Sequence, residues 1–291
     1  MDRGGESRGD RGGESRVDVV VASGDVDLSD AFFVPDGDSD LGSAFTATDH
    51  TRGPWDHRAQ HGGPPSALLA HVLESAHPRD DLQFARLTVE ILRPVPVDRL
   101  HIRTEVRRGG RKVELLGASM CTDDGSEVMT ASAWRIRTAE VPLTEGIEGD
   151  RVPGPDEAVE SASFFREVPP GGYVAAIETR FARGGWADPG QAIAWMRMRH
   201  PLVEGVEPTS LVRTMIAADS GNGVSARFEG LFINPDLTVY LTRPVEGEWV
   251  CLEAHTTLTN HGIGLAQSVI HDQHGPLGRG LQSLLLDRAP T

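Results

Sequence analysis

The sequence predicts an α+β fold of two tandem, similar domains, each a long antiparallel sheet wrapped around one central helix. A nine-residue phrase that occurs twice carries most of this: Leu87-Thr88-Val89-Glu90-Ile91-Leu92-Arg93-Pro94-Val95 returns as Leu237-Thr238-Val239-Tyr240-Leu241-Thr242-Arg243-Pro244-Val245, an offset of 237 − 87 = 150. The same offset places Gly275 on Gly125, so the likeness extends over a folding unit, and one copy at this spacing indicates fused domains rather than a solenoid. The second observation is order. Each half gives one amphipathic helix followed by a run of segments with strand alternation.

The expected layout is a leader over 1–29, a first domain over 30–138, a linker over 139–172 and a second domain over 173–291. In the leader, residues 2–8 (Asp-Arg-Gly-Gly-Glu-Ser-Arg) recur at 10–16. This polar, low-complexity stretch has nothing with which to build a core, and disorder is expected. The first domain opens near Asp30 with a strand over 43–50. His61-Gly62-Gly63-Pro64-Pro65-Ser66 follows, and prolines with a serine ahead of an apolar run are helix-start chemistry. The helix is expected over 65–75, with Leu68, Leu69, Val72 and Leu73 on one face. Strands are expected over 87–92, 100–106, 113–121 and 128–136.

The stretch 139–172 is acidic and contains Pro142, Pro153, Pro155, Pro169 and Pro170, which reads as a linker. The second half repeats the plan. It has strands over 174–181 and 193–199, a helix capped at Thr209 or Ser210, then strands over 237–242, 249–257, 263–270 and 279–286. In the repeated phrase Val89, Ile91, Val239 and Leu241 alternate, and Pro94 and Pro244, lacking an N–H, end the strand. The repeated Arg-Pro is therefore a landmark of the fold. The two sheets are expected to join edge to edge, because a bare edge invites pairing.

With 291 residues the chain is long enough for two domains, each with its own core. A net charge of −15 argues against nucleic acid or an anionic membrane as main partner, since both need a basic surface. Cys121 and Cys251 offer neither metal-ligand spacing nor a disulfide framework. No stretch approaches the roughly 20 apolar residues of a spanning helix, and no signal peptide is evident, so the chain is read as cytoplasmic.

The halves differ where function would sit. Leu68, Leu69, Val72 and Leu73 match Leu211, Val212, Met215 and Ile216 in spacing, which aligns Asp219 with Ala76 and puts a carboxylate on an apolar face. Such a group is paired, at a helix end, or kept for chemistry; Asp219-Ser220-Gly221-Asn222-Gly223 also reads as a helix terminus entering a turn. By the 150-residue register Asn234 falls opposite Phe84 and Gln282 opposite Ser132. Asp219, Asn234 and Gln282 can thus converge on one cleft, a carboxylate to hold or deprotonate a water and two amides to orient it. Gly62-Gly63 at a helix start offers N–H groups and the positive end of the helix dipole to a developing oxyanion, or is simply a tight turn. Arg107-Arg108-Gly109-Gly110-Arg111-Lys112 gathers four basic residues, including the only lysine, on a hairpin. Phosphate binding is expected there, by steering of an anionic ligand.

His61-Gly62-Gly63 opening a helix, the twice-used Leu-Thr-Val…Arg-Pro-Val strand and Gly275…Gln282 resemble the TesB-like (type II) acyl-CoA thioesterases of the double-hotdog family, over residues 30–287. The resemblance implies two tandem hotdog domains and hydrolysis of a medium- or long-chain acyl-CoA to free acid and CoA. It implies no metal and no cofactor beyond the CoA of the substrate. That family's site is an Asp, a Thr or Ser, and a Gln around a water. The resemblance carries the Asp onto Asp219 and the Gln onto Gln282, while Asn234 holds the hydroxyl position, a departure. His61, Gly62 and Gly63 would bind the substrate carbonyl, and Arg107, Arg108, Arg111 and Lys112 the CoA phosphates. A homodimer is expected, since such folds pair further through sheet or helix surfaces. Two other functions stand beside this one. Asp56 and His61, five apart, resemble the Asp…His pair of hotdog hydratases, and a non-catalytic acyl-CoA-binding module would leave Asp219 as a helix-end residue.

Overall fold

The computed structural model describes residues 30–142, 151–160, 171–186, 188–226 and 230–287. The leader expected over 1–29 and parts of the expected linker lie outside these residues. The first half contains β1 (Phe33–Ser39), β2 (Gly42–Ala47), α1 (Gly63–Ala76), β3 (Leu82–Ile91), β4 (Arg99–Arg108), β5 (Val113–Thr122) and β6 (Glu127–Arg137), with a 3-10 turn at Asp49–Thr51. The second half contains β7 (Val159–Glu160), α2 (Gly172–Ala176), β8 (Ile177–Gly185), β9 (Asp188–Met198), α3 (Ser210–Ala218), α4 (Gly221–Val224), β10 (Leu231–Ile233), β11 (Asp236–Leu241), β12 (Val250–Leu258), β13 (Ile263–Asp272) and β14 (Gly275–Asp287).

All the strands belong to one antiparallel sheet, in the order β1-β2-β4-β5-β6-β3-β11-β14-β13-β12-β9-β8-β7, with β10 on β14. The halves meet edge to edge, as expected. The seam is the repeated phrase itself: β3 pairs with β11 from Asp236↔Glu90 to Tyr240↔Arg86. Both strands end before their prolines, and Arg243 anchors its end by donating to Asp272 Oδ1 (2.7 Å) and Gly275 O (3.1 Å). Gly125 and Gly275 both have positive φ, 79° and 124°, the backbone that favours glycine in a turn.

The helices lie side by side and antiparallel. Thr209 caps α3 by accepting from Val212 N (3.2 Å) and donates to Glu74 Oε2 near the far end of α1 (2.6 Å). Separate cores are not what forms. Leu68, Leu69, Leu73, Leu87 and Met120 from the first half share one continuous cluster with Val212, Met215, Ile216, Leu237 and Val239 from the second. Each helix is sandwiched between its own sheet and its neighbour helix, so the apolar faces meet. Full burial of each such side chain stabilises by about 1.5–3 kcal/mol.

Within the stretch expected as a linker, 151–160 packs against the second half. Trp195 Nε1 donates to Pro153 O (2.7 Å), Val159 pairs with Phe181, and Val152 and Ala158 cover Trp195, Trp249 and Cys251. Trp195 on β9 and Trp249 just ahead of β12 lie on the same outer face, and the segment shields them from water. Among the described residues no helix is long and apolar enough to cross a membrane.

Candidate active site at the meeting of the two helices

Helix α1 begins with Pro64 and Pro65 in its first turn, which removes two donors from its start. Gly62 is the N-cap residue and its carbonyl accepts from Ser66 Oγ (2.6 Å). Of the two N–H groups expected to face a ligand, that of Gly63 is taken, donating to His61 Nδ1 (3.0 Å). Neither a turn nor positive φ explains this glycine pair, since Gly62 has φ −65°. Close approach does: a Cβ on Gly62 would fall 2.7 Å from Asp219 Oδ2, and one on Gly63 would fall 2.5 Å from Ile216 O.

Asp219 is the C-cap residue of α3 and is 3% exposed. Its place follows from the helical period, which continues the apolar face of Val212, Met215 and Ile216. Oδ1 accepts from Asn234 Nδ2 (2.8 Å) and Gln282 Nε2 (3.1 Å), and Gln282 Nε2 also donates to Asp219 O (3.0 Å). Oδ2 lies 3.2 Å from His61 Nδ1. The two amide donors on Oδ1 offset part of the several kcal/mol that an isolated buried carboxylate costs.

The structure thus gathers Asp219, Asn234, Gln282, His61, Gly62 and Gly63 into one cluster, with contributions from both halves. The amides do more to the carboxylate than to a water. Asn234 Nδ2 donates to Asp219 and to Asp236 O (3.1 Å), and both contacts of Gln282 Nε2 are to Asp219. Asn222, on α4, sets both amides. Its Nδ2 donates to Asn234 Oδ1 (3.1 Å) and its backbone N to Gln282 Oε1 (3.2 Å). Tyr173 lies flat on His61, ring centroids 3.8 Å apart at 9°, and its hydroxyl donates to Ile216 O (2.8 Å).

Neither Asn222 nor Tyr173 was singled out by the sequence. Asn222 sits in what reads as a turn, and the available signal for Tyr173 is its place after Gly171-Gly172 as one of two tyrosines. Burial pushes the His61 pKa below its ordinary 6.5 against the pull of Asp219, so the imidazole is neutral near pH 7. Burial likewise raises the Tyr173 phenol well above its usual range, keeping its proton.

Three expectations change. The counterpart of Gln282 is Ala133, not Ser132. Thr238 pairs with Leu281 while its equivalent Thr88 pairs with Ser132, so β14 is slipped by one residue relative to β6. The replacement is still inert. Secondly, Arg107, Arg108, Arg111 and Lys112 lie at the other end of the first half: Lys112 O accepts from Arg137 N (2.8 Å) and Asp81 O from Thr138 N (3.1 Å), which puts this hairpin by the C-terminal end of α1, about 20 Å along the helix from Gly62. There Arg107 pairs with Glu105 (2.8 Å) and Arg108 donates to Val113 O (3.0 Å). Thirdly, Asp56 turns to Arg58 (3.1 Å) and not to His61, so the hydratase pair is not assembled.

The opposite corner, where the N-terminus of α3 meets the C-terminal end of α1, holds a cavity of 470 Å³ lined by Glu74, Phe84, Arg135, Thr209, Leu211 and Leu241. Burial there raises the Glu74 pKa, against a lowering hydrogen bond from Thr209. Phe84 and Ala133 stand at the positions corresponding to Asn234 and Gln282, so this corner lacks both amides, and its half-buried carboxyl is that of Glu74.

One antiparallel sheet over two antiparallel helices, with a buried carboxylate where they cross, defines a double-hotdog protein with one equipped corner. Solved structures agree on the fold. A hot dog fold protein of Alicyclobacillus acidocaldarius is 20% identical, covering 91% of this chain and 98% of its own, at TM-score 0.68. A Novosphingobium aromaticivorans protein is 20% identical, covering 88% and 98%, at 0.70. An acyl-CoA thioesterase II of Mycobacterium marinum is 16% identical, covering 80% and 91%, at 0.59. No curated protein matches the sequence. Family models do: the acyl-CoA thioesterase N-terminal domain over residues 51–136 and the C-terminal domain over 149–286. The chain belongs to the acyl-CoA thioesterase family and is a thioester hydrolase.

Proposed function

We propose that the chain hydrolyses a medium- or long-chain acyl-CoA with a water activated by Asp219. The observation that carries this is the placement of Asp219 Oδ2 beside the Gly62 start of α1 while two amides fix Oδ1. The substrate carbonyl oxygen faces the Gly62 N–H at the positive end of the helix dipole. A water hydrogen-bonded to Oδ2 attacks the thioester carbon and gives its proton to Asp219. The oxyanion then collapses, the C–S bond breaks, and the CoA thiolate takes that proton.

His61 has a definite part in this reading. Its Nδ1 accepts from Gly63 N and so carries no proton, and with its one lone pair engaged it fixes the start of α1 beside Asp219 Oδ2, 3.2 Å away. The chain-length assignment rests on the family resemblance. The test is thiol release from short, medium, long and aromatic acyl-CoAs by wild type and Asp219→Asn. Release by wild type alone supports the reading, and equal release by the variant overturns the role of Asp219.

A second reading is favoured by how little space separates Oδ2 from Gly62: direct attack by Oδ2 on the thioester, giving an acyl anhydride that water then opens. Single turnover in ¹⁸O-water with and without hydroxylamine separates the two. Label in Asp219, or an Asp219 hydroxamate, indicates the anhydride; label in the fatty acid alone with no hydroxamate on Asp219 indicates direct water attack.

A further inference from the structure

Asp30, His50 and His200 come together away from the catalytic corner, with one ligating atom from each lying within 4.8 Å of the others. They arrive from three places. Asp30 leads into a strand entry pinned to the second half by Phe32 N→Pro201 O (3.1 Å) and Phe33 N→Leu202 O (2.9 Å). His50 lies in the 3-10 turn, where Thr48 Oγ1 accepts its N–H (3.3 Å). His200 follows β9, and its ring stacks on His50 at 4.1 Å and 19°.

Protein partners leave this cluster incompletely satisfied. His200 Nδ1 is buried with no hydrogen bond of adequate geometry, although Asp30 Oδ1 is only 2.8 Å away. A short distance with poor alignment is what a carboxylate and an imidazole show when they converge on a common point rather than on each other. The neighbouring carboxylate of Asp49 is engaged elsewhere, by Arg52 (3.2 Å).

We propose that Asp30, His50 and His200 bind one divalent transition-metal ion of the zinc class, with water completing its shell. Two imidazoles and a carboxylate are the donor set such ions take, and the ring nitrogens must be unprotonated to bind. The site is structural. It joins the first half at the 3-10 turn to the second half at the exit of β9, and the same turn ends at Thr51, whose carbonyl accepts from His61 N (2.8 Å). The ion thus braces the segment that presents His61.

The experiment uses tag-free full-length chain stripped with chelator and titrated with Zn²⁺ by calorimetry and with Co²⁺ by visible absorption. One ion per chain, a higher Tm with metal, and affinity at least about 10-fold weaker in His50→Gln, His200→Gln and Asp30→Asn are expected. The exposed Asp30 carries no packing, so Asp30→Asn keeps the test valid even if a histidine variant folds poorly. No saturable 1:1 uptake by wild type overturns the site, and so does unchanged affinity in the His50→Gln/His200→Gln double variant. Undiminished affinity and an unaltered Co²⁺ spectrum in Asp30→Asn overturn the three-ligand assignment.

Discussion

Thr88 and Thr238 stand opposite each other at the seam of the sheet, their hydroxyl oxygens 3.1 Å apart, and they are the same position of the repeated phrase. On one side of them Leu237 faces Val89, and on the other Val239 faces Leu87, so each residue meets the equivalent of its neighbour's partner. A local two-fold axis therefore passes between the two threonines. It generates two like corners where helix ends cross, and only one carries Asp219, Asn234 and Gln282.

Removing the hydroxyl pair should be mild. Thr88→Val or Thr238→Val alone leaves one hydroxyl without its partner and is expected to lower stability by about 1 kcal/mol. The double variant should lose less than the sum, because both polar partners leave together. Urea unfolding of the three variants measures this.

Asp219→Asn should fold, since an amide fits the same space, and should lose about 10²–10⁴-fold in kcat. Circular dichroism and steady-state thiol release check both halves of the statement.

Asn222 is expected to act through the amides it orients. Asn222→Ala should lower kcat about 10-fold with little change in KM, and combining it with Asn234→Ala should add little, because one hydrogen-bonded chain is broken in both. Additive losses in that cycle would show that Asn222 works independently of Asn234.

Gly63→Ala should destabilise the fold by about 1–3 kcal/mol, because the added Cβ meets Ile216 O, a backbone atom that cannot retreat without moving α3. Gly62→Ala pushes instead on the Asp219 carboxylate and should harm kcat more than stability. Thermal melts beside kinetic constants separate the two.

Stability should fall as pH is lowered below about 6.5. His61 keeps a pKa below 6.5 when folded, so the unfolded chain binds a proton that the folded one refuses; the stabilisation is complete above 6.5 and is lost as pH drops toward the folded value. Buried His71 shifts in the same direction. Glu74, raised by burial, works oppositely, favouring the fold where its carboxyl is protonated. Unfolding of wild type and His61→Gln across this range should show a flatter acid limb in the variant.

The seam and the cluster around Asp219 were legible because the chain carries its own reference. A repeat supplies an inert counterpart for each polar residue, and the helical period points Asp219 at the core. The one-residue slip that makes Ala133 the counterpart of Gln282 leaves no trace in sequence, since strand register is decided by pairing. Asn222 and Tyr173 sit on or beside helices of four and five residues, too short to show a period. The shared core was hidden for a related reason: an apolar face at Leu68 or Val212 says that it is buried, not against what. Likewise the local charge of Arg107 to Lys112 was plain, whereas its distance from Gly62 depends on which end of α1 the hairpin adjoins.

The seam also sets a timetable for synthesis. β3 leaves the ribosome with β6 to cover one edge, but its other edge waits for β11, whose sequence follows about 150 residues later. At 5–20 residues per second that is roughly 8–30 s during which Leu87 and Val89 lie on an unpaired strand edge, with the apolar face of α1 still lacking α3. The nascent first half is thus a natural client for a chaperone, and because its exposed edge nearly matches the strand it awaits, two nascent chains of this protein can pair with each other in error.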